Sequence, residues 1–372
     1  MLLFDVPTPQ VVIDRDRLLK NISRVQDLAN TAGVALRPHT KTHKSPVIAR
    51  WQLDRGAIGI CCAKVGEAEV MAAAGIDNIR LAYPTNPSTS PRVLDLMERA
   101  SVSIVVDHAA VTQAWSDAMR RADRSLDVLV KVDVGFHRCG IDAEVPAALD
   151  FIRSVASMPG LRLRGLLSHA GQGYQASSAH ELSVIAQREV EILTTLRDRV
   201  ARAGIALEEI SVGATPTLRY SVLQPGITEL RPGNYVYFDR TQLSLGAASL
   251  GDCALTVLAT VVSKPTTDRL ILDCGSKTLT TDPARGFGLT PGYGVVMTPD
   301  GNAIDETLVI ERLSEEHATV RVAGRTALEP GDRVRVLPNH ACVVANMVDD
   351  ALLVDGERVI DKLPVAARGR IA

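Results

Sequence analysis

The sequence has no run of about 18 apolar residues, which excludes a membrane-spanning helix of the usual kind. It has no excess charge of either sign. The formal net charge is −2, so nothing points to nucleic acid or an anionic membrane surface as a partner. Cysteine is sparse, six residues in all, mostly inside apolar stretches; a reduced cytoplasmic protein accounts for this better than a disulfide framework. The opening MLLFDVPTPQ carries Asp5 early and no basic start, so it is not read as a signal peptide. GxGxxG and GxxxxGK(S/T) are both absent, as are repeats and low-complexity segments.

What is present is 372 residues, 46% of them hydrophobic, enough for two domains or one barrel with an appendage. Short β-rich runs fall at 34–41, 57–65, 78–84, 102–107, 127–134, 162–170, 208–215 and 227–235, with helical stretches between them. Two of those stretches have clear stops: 65–76 ends at Gly75 and 180–204 at Gly204. Eight strands alternating with helices predict a closed (β/α)8 barrel over residues 1–240; an open doubly wound sheet is the competing architecture. From about 241 to 372 the segments are β-branched with turns between them, which predicts an all-β domain. The N-terminal strand within 1–16 is a candidate to join that second domain.

In such a barrel, function collects at the C-terminal ends of the strands. The first strand runs into RPHTKTHKSP, where alternation puts Arg37, His39 and Lys41 on one face. A buried lysine needs a partner, a lowered pKa or a covalent use. Lys41 therefore reads either as a salt-bridged rim residue or as the amine of a Schiff base. Lys44 reads as a solvated helix-start residue. His39 and His43 do not both read as metal ligands, because the strand break falls between them.

The seventh and eighth strand ends, VGATPT and RPGNY, place Gly213, Thr215, Gly233, Asn234 and Tyr235 at the same rim. Such residues make tight turns, and in this fold they also bind phosphate. With Lys41 across the mouth, the joint explanation is a phosphate-bearing aldehyde, pyridoxal 5'-phosphate. His169 is then placed to stack on its ring, Arg138 to approach the ring nitrogen or phenolic oxygen, and Tyr174 to reach phosphate or substrate. An arginine at the nitrogen would limit the electron sink. In the second domain, PNHACVVANM sets His340 and Cys342 two apart, a spacing that brings both to one side in extended chain. They read as a structural pair or as two ligands of a divalent metal, zinc before manganese or magnesium, with positions left open for water or substrate. His317 is a candidate outer partner.

TPQVVIDRDRLLKNI, RPHTKTHK, GICCAKVGEAEVMAAAGI, VDVGFHRCG and PNHACVVANM together resemble the D-threonine aldolase/D-serine dehydratase family, whose barrel is related to that of alanine racemase. The resemblance covers nearly the whole chain. It implies a homodimeric, cytoplasmic lyase acting on small-molecule D-amino acids. It implies pyridoxal phosphate on Lys41, the ring near Arg138 and His169, phosphate contacts near Tyr174, Gly213, Thr215 and the Gly233, Asn234, Tyr235 loop, and a divalent metal at His340 and Cys342. The family's aldolases typically carry His-x-Asp at the metal site, and its D-serine and D-3-hydroxyaspartate dehydratases carry His-x-Cys. Cys342 therefore favours elimination of water from a D-3-hydroxy amino acid, giving a 2-oxo acid and ammonia. Retro-aldol cleavage to glycine and an aldehyde is the alternative, followed by an amino-acid racemase and a non-catalytic cofactor carrier.

Overall fold

The computed structural model describes residues 1–287, 291–298 and 300–372. Strand β1 (Gln10–Asp14) leads directly into α1 (Arg15–Thr31), whose first turn is capped by the Asp14 carboxylate accepting the Arg17 N–H at 2.9 Å. The alternation then runs β2 (Ala35–Leu36), α2 (Pro46–Asp54), β3 (Ile60–Cys62), α3 (Val65–Ala73), β4 (Asn78–Pro84), α4 (Ser90–Met97), β5 (Ser101–Val106), α5 (Ala109–Arg121) and β6 (Leu126–Asp133). A two-residue spur, β7 (Ile141–Asp142), pairs on β6 and precedes α6 (Ala147–Ser157), β8 (Leu161–Leu167), α7 (Ala179–Arg202), β9 (Glu209–Val212), α8 (Leu218–Ser221) and β10 (Glu229–Leu230). The order β2-β10-β9-β8-β6-β5-β4-β3 is parallel throughout. The ring closes where Ile58 N–H donates to Leu36 O at 2.9 Å and Cys61 N–H to Pro38 O at 2.8 Å. All eight expected barrel strands are present.

The outer helices bury one face each. In α7 the buried positions Leu182, Ala186, Val190, Leu193, Leu196 and Val200 recur at helical spacing, and the helix stops before Gly204, whose φ of +83° suits glycine. The barrel interior is unusually ionic. Buried Glu229 accepts from Arg37 at 2.7 Å, Arg80 at 2.5 Å and Ser211 at 2.5 Å, while Arg80 reaches Glu209 at 2.7 Å. Arg231 continues the network by donating to Ser211 Oγ at 2.6 Å and to the Ser168 carbonyl. Arg37, Arg80 and Glu229 are thus paired with one another, which is the condition for burying such charges.

The first and last barrel strands are shorter than the sequence implies. Only Ala35–Leu36 survives of 34–41, since Pro38 offers no N–H and Thr40–Thr42 turns into a 3-10 helix. Only Glu229–Leu230 survives of 227–235, where Pro232 and Gly233 break the strand and Asn234–Val236 forms another 3-10 turn.

Beyond the barrel come α9 (Arg240–Ser244), β11 (Leu255–Thr266), β12 (Arg269–Leu272), α10 (Ser276–Leu279), β13 (Val295–Met297), β14 (Leu308–Leu313), β15 (Ala318–Val322), β16 (Arg333–Leu337), α11 (Ala341–Ala345), β17 (Asp350–Asp355) and β18 (Arg358–Pro364). They build a mostly antiparallel sheet, β14-β15-β12-β11-β1-β17-β18, with β16 on β11 and β13 on β16. β1 sits in its middle, antiparallel to β11 and parallel to β17. The chain thus starts in the second sheet and crosses into the barrel through α1. No helix among the described residues is long and apolar enough to cross a membrane.

Candidate active site

A cavity of about 500 Å3 opens at the C-terminal mouth of the barrel and is walled on one side by the second domain. Lys41, Arg138, His169, Tyr174, Gly213, Thr215, Gly233, Asn234, His340 and Cys342 all line it. Tyr235 does not. It is fully buried, and its hydroxyl accepts from Gln52 at 2.9 Å, so it packs the barrel rather than the cavity. His137 also points away, exposed and paired with Asp133 at 3.0 Å.

Lys41 lies on the Thr40–Thr42 turn, not on a strand, and is accessible to solvent through the cavity rather than buried. Protein surrounds it nonetheless. Loss of solvation pulls its amine below the ordinary lysine value, with Arg138 adding to the effect and Cys342 opposing it. The turn is fixed from below: Thr40 Oγ1 lies 2.5 Å from Glu67 Oε1 and 2.9 Å from Cys61 O. Lys44 is buried, not solvated, with φ of +47°, and it lines the same cavity. His43 is fully buried, with Ser45 N–H on its Nδ1 at 3.1 Å, and takes no part.

His169 Nδ1 donates to Gly213 O at 2.5 Å, and Phe136 meets the imidazole edge-on at 5.9 Å and 84°. Burial and the nearby Lys41 keep that imidazole well below its ordinary pKa, hence neutral. Arg138 lies over the Phe136 ring at 5.2 Å. At the far end, Thr215 Oγ1 is buried with no hydrogen-bond partner, and a Cβ on Gly213 would come within 2.9 Å of Arg231 O. An orphaned donor beside a glycine that must stay bare fits a phosphate group. The cations Lys41, Lys44, Lys64, Arg138, Arg231 and Arg285 outnumber the carboxylates Asp239 and Asp282 around the cavity, which suits an anionic cofactor and substrate.

His340 and Cys342 are brought together differently from the extended pairing the sequence predicts. His340 is the extended N-cap residue of α11 and Cys342 stands in its first turn. The two side chains interact. Burial alone would lower the His340 imidazole, but Cys342, Asp239 and Asp282 raise it to about 10; burial would raise the Cys342 thiol, but His340 brings it down. A thiol that ionises readily beside an imidazole is the donor set of a borderline-soft divalent ion. No group of three His, Cys, Asp or Glu side chains that could hold a metal occurs among the described residues, so these two leave the rest of the coordination sphere open.

Asp282 and Asp239 are the residues sequence reasoning missed. His340 Nδ1 pairs with Asp282 Oδ2 at 2.5 Å, which leaves Nε2 free to ligate. Asp239 accepts from Asn234 at 2.7 Å and from Ala341 N–H at 3.0 Å, tying the last barrel loop to the start of α11. His317 is exposed in the turn between β14 and β15 and does not line the cavity. Neither aspartate lies in a periodic pattern or inside a motif that the sequence singles out, so nothing local marks them.

Residues 13–241 match the alanine racemase N-terminal domain, and residues 254–354 match the "Putative serine dehydratase domain". The chain is 33% identical over 368 residues to D-threo-3-hydroxyaspartate dehydratase of Delftia sp. (strain HT23), covering 95% of this chain and 96% of that one. It is likewise 33% identical to the D-threonine aldolase of Arthrobacter sp., over 98% and 93% of the two chains. The solved structure of the Delftia dehydratase matches with a TM-score of 0.91 at 31% identity, covering 98% of each chain. A histidine-to-alanine mutant of a D-threo-3-hydroxyaspartate dehydratase, and a cysteine-to-alanine mutant described as metal-free, match at a TM-score of 0.92. The chain belongs to the D-threonine aldolase/D-serine dehydratase family of pyridoxal phosphate-dependent lyases.

Proposed function

We propose that this protein eliminates water from a D-3-hydroxy amino acid, such as D-serine or D-threo-3-hydroxyaspartate, and releases a 2-oxo acid and ammonia. One observation carries the reading. Lys41 and the His340–Cys342 pair share one cavity, and Thr42 Oγ1, next to Lys41, lies 3.2 Å from Cys342 Sγ. A group that handles the Cα proton and a group that handles the β-hydroxyl are thus juxtaposed.

Pyridoxal phosphate, when bound, supplies the electron sink for charge developing at Cα. Lys41 would hold its aldehyde, and Thr215 with the Gly213 and Gly233 turns would receive its phosphate. A divalent metal, when bound at His340 and Cys342, supplies Lewis acidity to the β-hydroxyl; the thiolate favours zinc. Loss of solvation shifts Lys41 towards the free amine, the form that accepts the Cα proton at Nζ. His169, fixed by Gly213 and Phe136, presents a neutral ring. Asp282 keeps the proton of His340 on Nδ1, so the other ring nitrogen stays a ligand.

Support for the metal pair comes from the two dehydratase mutants, whose altered histidine and cysteine lie two positions apart. Six free cysteines agree with a reducing, cytoplasmic setting, and we propose a homodimer there. The test is to incubate the metal-loaded protein with D-serine, D-threonine and D-threo-3-hydroxyaspartate and to assay 2-oxo acid and glycine separately. Glycine formed with formaldehyde, acetaldehyde or glyoxylate, in place of pyruvate, 2-oxobutanoate or oxaloacetate, replaces the dehydratase by an aldolase.

A further inference from the structure

After β18 the chain leaves the second sheet and crosses to the barrel mouth as a strap. Val365 N–H donates to Asp349 O at 2.9 Å and buried Ala367 N–H to Lys44 O at 3.0 Å. The strap then reaches α3, where Ala372 O accepts Gly66 N–H at 2.9 Å and Arg92 Nη2 at 3.2 Å. Arg92 is itself held by both oxygens of Glu69, at 2.7 and 2.8 Å. Gly66 is bare for a reason: a Cβ there would stand 2.7 Å from Ala372 O. Between these anchors, Ile371 lines the cavity with 69% of its surface exposed. A large apolar side chain held open to a polar cavity lacks a partner within the chain.

Barrel order says which part of the cavity it faces. The phosphate corner lies on the loops after β9 and β10, with Lys41 after β2, the next strand round the ring. The strap lies one strand further on, against the Ala63–Lys64 end of β3 and the start of α3. Arg138 and His169 come from β6 and β8, on another part of the ring. Ile371 is therefore on the side of Lys41 away from the phosphate. A substrate beside Lys41 would meet Ile371 with its side chain there, while Cys342 stands between Thr42 and Asn234, at 3.2 and 3.5 Å.

We propose that Ile371 is a specificity-determining residue. It is the apolar wall that limits the size of the substituent on the β-carbon of the D-3-hydroxy amino acid, and the Gly66 and Arg92 anchors hold it in place. This rests on the reading of the cavity as the lyase site. The substrate class it favours carries hydrogen, methyl or another small group at that carbon.

The experiment compares wild type, Ile371→Ala and Gly66→Ala as cofactor- and metal-loaded protein, with D-serine and D-threo-3-phenylserine as probes. Two readouts are taken: kcat and KM for product formation, and the change in bound-cofactor absorbance on titration with each probe. Removing a sec-butyl wall should raise the phenylserine-to-serine ratio of kcat/KM by roughly tenfold or more, mostly through KM. Gly66→Ala, which dislodges the strap without touching the cavity, should move the ratio the same way. Folded, loaded Ile371→Ala with a ratio within about twofold of wild type overturns the proposal. The absorbance titration separates the two failures. If wild type binds both probes and turns over neither, the lyase reading fails, while the wall stands or falls on the binding ratio alone.

Discussion

Thr42 Oγ1 lies 3.2 Å from Cys342 Sγ, joining residues 300 positions apart in the chain. Thr42 ends the turn that presents Lys41, and Cys342 stands in the first turn of the helix that His340 caps. The contact joins the barrel turn that carries Lys41 to the His340–Cys342 pair of the second domain. Asp239 reinforces it by bonding both Asn234 and the Ala341 N–H. Neither domain alone completes the site.

Lys41→Ala should abolish the long-wavelength absorbance of lysine-linked cofactor and cost roughly a thousandfold in kcat, as expected for loss of a proton-transfer group. The spectrum of the purified variant checks the first point independently of turnover. Persistence of that absorbance would move the anchor to another lysine.

Asp282→Asn should weaken zinc binding about 10- to 100-fold while the fold is kept, because His340 Nδ1 loses its carboxylate partner at 2.5 Å. Competition for zinc with a chromophoric chelator measures it. Cys342→Ala should lose the ion more completely than Asp282→Asn does; equal affinities for all three proteins would place the metal elsewhere.

Chelation separates the lyase from a racemase, which needs a proton donor on each face of Cα and no metal. Dialysis against EDTA should remove activity, and added zinc, manganese or magnesium should restore it to differing extents. Full activity in EDTA would favour the racemase.

Acid should loosen the barrel before it loosens the second sheet. Burial alone would raise the Glu229 carboxyl, but Arg80 and Arg37 outweigh it and hold it down at about 2. The folded pKa lies below the unfolded one, so this stabilisation is complete above about pH 4.5 and is lost as pH falls towards 2, a loss of roughly 3 kcal/mol. Urea unfolding at pH 7, 4 and 3 should show the midpoint falling over the last two. Glu229→Gln should lower stability at pH 7 and flatten that dependence.

The barrel was legible because its strands alternate with helices whose apolar faces repeat at helical spacing, as Leu182 to Val200 show. That Lys41, His340 and Cys342 would meet at one cavity was legible because each stands in a short motif. Lys41's exposure to the cavity and Lys44's burial were not, since they depend on where Pro38 ends β2 and how Thr40 docks on Glu67. Tyr235 looked like a cavity residue because its neighbours are; the 3-10 turn at Asn234–Val236 rotates it onto Gln52 instead. Asp282 acts on His340 and Asp239 on the Ala341 N–H, each more than fifty positions away in the chain, a relationship only the fold creates.

The central claim is that Lys41 and the His340–Cys342 pair act on one substrate to break its Cβ–O bond. The most direct measurement is product analysis of zinc-loaded protein with D-threo-3-hydroxyaspartate and D-serine, following 2-oxo acid, ammonia and glycine together. The account predicts 2-oxo acid and ammonia in equal amounts and no glycine, with both products lost in Lys41→Ala and Cys342→Ala. Glycine as a product, with formaldehyde from D-serine or glyoxylate from D-threo-3-hydroxyaspartate, would contradict it.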